Sequence, residues 1–434
     1  MRGVLRKLIP EIVINKYHYL LAMSGAIFFR FPSRKLKVIG VTGTNGKSTV
    51  VYLLAKMLTA AGYKVASSSS IEFQIGDKVW PNEFKMTMPG RAFLQSFLAK
   101  AVKAGCTHVV IEVTSEGLVQ NRHAFVDFDT AIFTNLSPEH IERHGGYVKY
   151  REAKGVLFRA LAKSNKKIKT SIINLADPKA QYFLSFGADR IFVYRKHDQE
   201  PRAAIPQAAQ EVISQNEQVN ASGIDFNIAT TKYQSSLRGD LNIENMLAVI
   251  SAGISEGLSL DSMAKILQEI KEIPGRLEQI PNKKGINVFV DYAHTPAALE
   301  SVYQALGANS VLICVLGAAG GGRDKWKRPE MGKIAVRYCQ KIILTNEDPY
   351  DEDPVKIIAE IEAGLKESNF KKENYEIMID RKAAIVKAIS IARSGETVII
   401  TGKGSESLMA VAAGKKISWD DRQIAVKALR EADK

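Results

Sequence analysis

The sequence predicts an α/β protein built on mostly parallel sheets, and three observations carry that expectation. Short β-rich runs recur along the chain, longer helical patterns separate them, and a glycine-rich turn joins the first such run to the first such helix. The runs lie at 37–41, 107–113, 130–134, 168–174, 190–194, 288–290, 311–316, 341–344 and 397–401, with helical patterns such as 48–61 and 91–104 between them. Strands that return through helices pair in parallel, because a hairpin cannot span such a crossover. Residues 200–238, rich in Gln, Asn and Ser, read instead as a small antiparallel excursion. A long helical pattern over 242–273 stops at Pro274-Gly275, two residues that cannot continue a helix, and a new strand–helix series begins there. The expected organisation is therefore an N-terminal segment 1–36, a central unit 37–273 and a C-terminal unit 274–434.

A chain of 434 residues exceeds one ordinary core, and 46% hydrophobic with 24% charged residues is a globular composition. The net charge of +14 points to anionic small substrates, because Lys and Arg are scattered and no nucleic-acid-binding motif is present. Segment 1–36 is the exception, with seven basic residues against Glu11, and its apolar stretch 12–29 is interrupted by Asn15, Lys16 and His18. Eighteen helical residues span only about 27 Å, so the stretch is marginal as a membrane span. It can pack on the protein's own body, lie in the plane of a membrane, or cross one. Cys106, Cys314 and Cys339 are widely spaced, which supports neither a disulfide framework nor a zinc site and fits a reducing cytoplasm.

The strongest local signal is the first strand running into Gly43-Thr44-Asn45-Gly46-Lys47-Ser48-Thr49 and then a helix. Backbone N–H groups of such a turn, with the helix N-terminus behind them, surround phosphate oxygens; Lys47 reaches the terminal phosphates and Ser48 touches Mg²⁺. The general phosphate-loop pattern is incomplete, since Val41 stands where its first Gly belongs.

The narrower form Gly-Thr-Asn-Gly-Lys-Ser-Thr resembles the Mur ligases and their folylpolyglutamate synthetase relatives, and further motifs follow in family order from Lys37 to Arg422. Ile111-Glu112-Val113-Thr114-Ser115-Glu116 resembles the family's central substrate segment, whose Glu holds a metal at a strand end. Ser137-Pro138-Glu139-His140, with Glu139 in place of the usual Asp, and Glu152-Ala153-Lys154 resemble segments in which the His binds metal and the Lys is carbamylated. The resemblance thus implies Ser48, Glu112, His140 and Lys154 as metal ligands. It implies catalytic roles for Lys47, Glu112, His140, Lys154 and Arg276, the last from the linker Pro274-Gly275-Arg276. Asn242, Arg276, Asp291 and His294 join residues 43–49 as expected ATP contacts, and a Rossmann-like second α/β unit is implied as well.

On the substrate side the resemblance implies Thr87, Thr114, Gln120 and Arg122 at a sugar–peptide, Arg122 being a natural partner for a carboxylate. It implies Asp348, Tyr350, Gly402 and Glu406 at the incoming amino acid, with Glu406 placed to receive an ammonium. Tyr350 stands where diaminopimelate-adding members carry Arg, so diaminopimelate is disfavoured, while lysine, ornithine or another amino acid stays open. The implied activity is ATP- and Mg²⁺-dependent amide formation between a muramoyl-peptide carboxylate and an amino acid, through an acyl phosphate, by a cytoplasmic monomer. Family members that act on UDP-linked precursors carry a whole domain before the phosphate loop, where this sequence has 36 residues. A lipid-linked or polyglutamate-like acceptor, membrane-surface contact through 1–36, and a non-catalytic nucleotide-binding subunit remain as alternatives.

Overall fold

The computed structural model describes residues 11–90, 92–220, 222–307 and 310–432. Eleven strands form the first sheet: β1 (Lys37–Thr42), β2 (Val65–Ser68), β3 (Glu72–Ile75), β4 (Lys78–Pro81), β5 (His108–Glu112), β6 (Thr130–Phe133), β7 (Thr170–Asn174), β8 (Arg190–Lys196), β9 (Gln210–Asn220), β10 (Gly223–Ile228) and β11 (Thr231–Ser235). Their spatial order is β11-β10-β9-β8-β7-β6-β1-β5-β2-β3-β4. The seven strands from β9 to β2 pair in parallel, and an antiparallel pair of strands extends each edge. β5, β6 and β7 are buried at every position, as strands covered by helices on both faces must be. One core cluster lies on each face.

The second sheet orders β12 (Glu278–Gln279), β13 (Asn287–Val290), β14 (Leu312–Leu316), β15 (Cys339–Thr345), β16 (Tyr375–Met378) and β17 (Thr397–Ile400) as β12-β13-β17-β14-β15-β16. Only β12 runs antiparallel. A two-stranded ribbon, β18 (Leu408–Ala410) with β19 (Lys416–Ser418), follows it. Because strands of a parallel sheet share one polarity, the turns after β1, β2, β5 and β6 open on one side of the first sheet. Those after β13, β15 and β17 open on one side of the second, and both sets line the same cavity.

Two expectations change. The helical pattern over 242–273 is two helices, Leu241–Ser255 and Leu260–Glu269, because Gly257 takes a left-handed φ of 85° and Ser259 caps the second helix through the Ser262 N–H. Cys314 and Cys339 form a disulfide, contrary to the reading from spacing alone. They lie 25 residues apart in sequence, yet β14 and β15 are neighbours, which sets their Cα atoms 6.0 Å apart. Lateral strand order is invisible to a spacing argument.

Of segment 1–36, residues 1–10 lie outside the described residues. Helix Glu11–Phe28 packs through Ala22, Gly25 and Ala26, and a Cβ on Gly25 would sit 3.1 Å from Ala92 Cβ. Leu20, Ile27 and Phe28 of the same helix are exposed. Among the described residues no helix is long and apolar enough to cross a membrane.

Candidate active site

β1 ends at Thr42 and the chain turns through residues 43–46 into helix Lys47–Ala60. Two glycines are required here. A Cβ on Gly43 would stand 1.9 Å from Thr134 Oγ1, and one on Gly46, at φ 81°, would stand 2.2 Å from Asn245 Oδ1. The turn is held from outside: Asn135 O accepts the Thr44 N–H at 2.8 Å, Asn135 Oδ1 accepts the Asn45 N–H at 2.9 Å, and Thr134 Oγ1 donates to Asn45 O at 2.7 Å. Thr44 Oγ1 donates to Ser137 O and accepts the Ser137 N–H. No side chain caps helix Lys47–Ala60, so its first N–H groups face the cavity as an anion site.

Around that helix start the predicted residues converge. Ser48 Oγ donates to Glu112 Oε2 at 2.9 Å, and Lys47 Nζ lies 3.9 Å from Glu112 Oε1. Lys154 Nζ is buried and donates to Gly43 O at 2.5 Å. Burial, with Lys47 close by, pushes the Lys154 amine well below the ordinary lysine range. Burial also lowers Lys47, opposed by Glu112 and reinforced by Arg276. His140, at a left-handed φ of 55°, is kept neutral by burial and by Arg323 and Lys327. Beside it Glu139 accepts from Lys327 Nζ at 2.9 Å through Oε1, while its buried Oε2 has no hydrogen-bond partner. Arg276 reaches across from the second half: its guanidinium stacks on Tyr292 at 4.5 Å and Nη2 donates to Ser70 Oγ at 3.3 Å.

Ser70 is a residue that sequence reasoning missed. Its N–H donates to Glu112 Oε2 at 2.8 Å, and its hydroxyl stands 2.7 Å from Ser48 Oγ, so it links Ser48, Glu112 and Arg276. It follows β2, a four-residue strand with no motif of its own, and only its place beside β5 in the sheet gives it a role.

The remaining expected residues fall into three groups. Asn242 donates from Nδ2 to Arg238 O and accepts from Asn245 Nδ2, at the start of a helix packed on Lys47–Ala60. Asp291 is buried and accepts the Leu277 and Ala293 N–H groups, so it fixes the linker that carries Arg276. Thr49 is buried in the first turn behind the loop. His294 donates from Nδ1 to Tyr292 O at 2.9 Å, and burial with Lys327 nearby holds it well below the ordinary histidine range. On the acceptor side Thr87 lines the cavity, Thr114 caps helix Ser115–Val119 through the Gly117 N–H, and Arg122 donates to Gln120 Oε1 at 2.6 Å and to Met88 O. Gln120 lies behind Arg122 and does not itself line the cavity. At the far end stand Asp348, Glu406 and Tyr350, whose ring lies over Gly321; Gly402, at φ 110°, leaves room for Glu347.

These groups line one cavity of about 830 Å³ between the two halves. The hydroxyl of Ser48 and the carboxylate of Glu112 at a helix start suit Mg²⁺, which takes one or two protein oxygens and completes its shell with phosphate and water. The orphaned Glu139 oxygen and the neutral His140 beside it are free to serve a cation too. Among the described residues no group of three or more His, Cys, Asp or Glu forms a metal cage by itself.

Comparison with known proteins places the chain. The family model described as Mur ligase middle domain matches residues 41–253, and that described as Mur ligase, glutamate ligase domain matches 275–404. The chain belongs to the Mur ligase family. It is 32% identical over 98% of its length, and 85% of the relative's, to UDP-N-acetylmuramoyl-L-alanyl-D-glutamate--2,6-diaminopimelate ligase of Geobacillus kaustophilus. It is 33% identical to UDP-N-acetylmuramyl-tripeptide synthetase of a Roseiflexus species, over 98% of this chain and 84% of that one. A solved Mur ligase structure, of a UDP-N-acetylmuramoyl-L-alanyl-D-glutamate--2,6-diaminopimelate ligase, superposes with TM-score 0.61 at 28% identity, covering 96% of this chain and 84% of the other. A folylpolyglutamate synthase of Mycobacterium tuberculosis, complexed with ADP and AMPPCP, shares the fold at TM-score 0.70 and 18% identity, covering 91% of this chain and 96% of that one. The Mur ligase is thus an ATP-dependent ligase of the type that works in peptidoglycan precursor synthesis.

Proposed function

We propose that this Mur ligase joins an amino acid to the D-Glu end of UDP-N-acetylmuramoyl-L-Ala-D-Glu, the acceptor for which its relatives are named. The observation that carries the proposal is one cavity shared by the phosphate loop and by the segments expected at the acceptor and at the amino acid. At one end the phosphate loop gathers Lys47, Lys154 and Arg276, and at the other stand Asp348 and Glu406, with Arg122 between them on the acceptor side.

In this reading the acceptor carboxylate, oriented by Arg122, attacks the γ-phosphorus of ATP and ADP leaves, giving an acyl phosphate. The amine nitrogen then attacks the carbonyl carbon, loses a proton, and inorganic phosphate departs as the amide forms. Lys47 and Arg276 offset the negative charge that spreads over the transferring oxygens, from positions fixed before substrate arrives. Mg²⁺, held by Ser48 and Glu112 and at a second position by His140 and Lys154, supplies further charge neutralisation when bound. Lys154 would serve there as its carbamate, formed when the amine nitrogen adds to CO₂ and releases a proton. Its burial supports this, since it is the neutral amine that adds. Closure of the two halves keeps water from the acyl phosphate.

The test is phosphate release with ATP, Mg²⁺ and this acceptor against a panel of amino acids, with Lys47→Ala as control. Release that needs both acceptor and amine and vanishes in the variant supports the assignment. Release no greater than the variant's across the panel, with no hydroxamate formed from hydroxylamine, overturns it.

A further inference from the structure

Lys85 of the cavity is not used by that chemistry. Lys85 belongs to the loop after β4, in the first half, and its side chain crosses to the second half. There its ammonium meets Asp348 Oδ2 at 2.5 Å and Glu406 Oε2 at 2.6 Å. The same two carboxylates hold Lys403, fully buried, at 2.9 Å and 2.7 Å. Two ammonium groups therefore face two carboxylates, and the four charges cancel. Glu347 next to them is pushed up by burial and by Asp348, which disfavours its charged form, while Arg381 is committed to Asp421.

The loop is built to deliver Lys85. Asn82 Nδ2 donates to Ser69 O at 2.7 Å and to Met86 O at 3.2 Å, and Asn82 Oδ1 accepts the Phe84 N–H. Lys416 Nζ donates to Phe84 O at 3.3 Å, a second tie from the other half. Lys85 itself has φ 55°, a left-handed backbone that a lysine holds only where its surroundings over-determine it. Its side chain is 8% exposed, whereas a lysine on a surface loop ordinarily keeps its ammonium in water.

We propose that Lys85 is a specificity-determining residue: its ammonium fills the cation subsite between Asp348 and Glu406, so the amine substrate of this Mur ligase carries a neutral or acidic side chain rather than a second ammonium. The inference rests on the proposed ligase reading for the identity of the reaction, while occupancy of the subsite stands on the contacts alone. A basic amino acid entering this end would bring a fifth charge into a group already neutral and would part Lys85 from both of its carboxylates. With Lys85 shortened or made apolar, Asp348, Glu406 and Lys403 leave one unit of negative charge for an incoming ammonium.

The experiment compares wild type with Lys85→Met, which keeps the aliphatic stem, and with Lys85→Ala. Thermal shift with L-lysine, L-ornithine and diaminopimelate reads binding without catalysis, and phosphate release reads turnover. The inference expects no shift of the wild-type midpoint by basic amino acids and a rise in both variants. It also expects kcat/KM for lysine relative to alanine or glutamate to increase at least about tenfold in Lys85→Met. Adding Glu406→Gln to Lys85→Met should abolish the new lysine response. A wild type that binds lysine or diaminopimelate as well as the variants do overturns it, because Lys85 then yields its place freely. Hydroxamate formation from hydroxylamine, a small neutral amine, reports acyl phosphate independently. Its absence sinks the ligase reading and leaves the binding arm to decide the occupancy of the subsite.

Discussion

The two ends of the cavity treat charge in opposite ways. At the phosphate loop, Lys47, Lys154 and Arg276 crowd around Glu112, and burial works against the first two as cations. At the far end, Lys403 and Lys85 match Asp348 and Glu406 one for one. Lys403 and Lys85 overcome the effect of burial to hold the Asp348 carboxyl below the usual range, and the carboxylates hold Lys403 above its own. Burial lowers Lys85 as it lowers Lys47, but at the far end each ammonium has two carboxylates within 2.9 Å, whereas at the loop Lys47 stands 3.9 Å from Glu112 and Lys154 donates to a carbonyl. Amines without a close carboxylate, such as Lys47, are what a polyanion such as a triphosphate would hold charged, and a balanced cluster is what holds two halves in register.

Two lysine substitutions separate these descriptions most sharply. Lys47→Ala should lower kcat/KM by about 10³-fold or more, the scale of losing a fixed charge-stabilising group. Its thermal midpoint should stay unchanged or rise, because a desolvated ammonium is removed. Lys403→Met should do the reverse in kind. It leaves the buried Asp348 and the part-buried Glu406 facing Lys85 alone and should destabilise by about 3 kcal/mol, the lower end of what breaking a buried pair costs. Paired melting and phosphate-release curves check both; a Lys403→Met protein as stable as wild type would end the comparison.

Ser70→Ala tests the cationic end more gently. Its hydroxyl joins Ser48 to Arg276, so its loss should raise KM for ATP about tenfold through a misplaced Arg276, with little change in the midpoint. Titrating ATP at saturating acceptor measures this, and an unchanged KM would show that Arg276 is positioned by Tyr292 alone.

What sequence could see follows from how local each feature is. The phosphate loop is one unbroken segment, so Lys47 and Ser48 could be read directly, and the strand ends carrying Glu112 and Asp291 are marked by the apolar runs before them. The parallel sheets were legible for the same reason: buried strands are runs of Val and Ile. The short edge strands β3 and β4 and the ribbon β18–β19 were not, since β4 and β19 are exposed at every position and have no apolar face to betray them. Ser70, Lys85 and the Cys314–Cys339 pair depend on which strands lie side by side or which loops cross between halves. Spacing along the chain holds no record of either. Gln120 shows the converse, since its segment was read as contact with substrate while its side chain holds Arg122 in place.

The smallest expected effect concerns His294, at the seam between the two ends. Burial, with Lys327 and Arg323 nearby, keeps its imidazole neutral far below the ordinary value of 6.5. Below pH 6.5 the unfolded chain therefore binds a proton at this position that the folded protein refuses. Stability from this group is fully present above 6.5 and declines as pH falls, with a slope of at most about 1.4 kcal/mol per pH unit. Replacing it by Asn keeps a donor for Tyr292 O and removes the titration. Melting curves between pH 7 and pH 5 should fall less steeply for His294→Asn than for wild type, with His123, His140 and His144 contributing equally to both. Parallel curves would mean that His294 gains access to water and a proton in solution. The cavity between the halves would then open at that seam, and the charge balance at its far end would have to be read for an open molecule rather than a closed one.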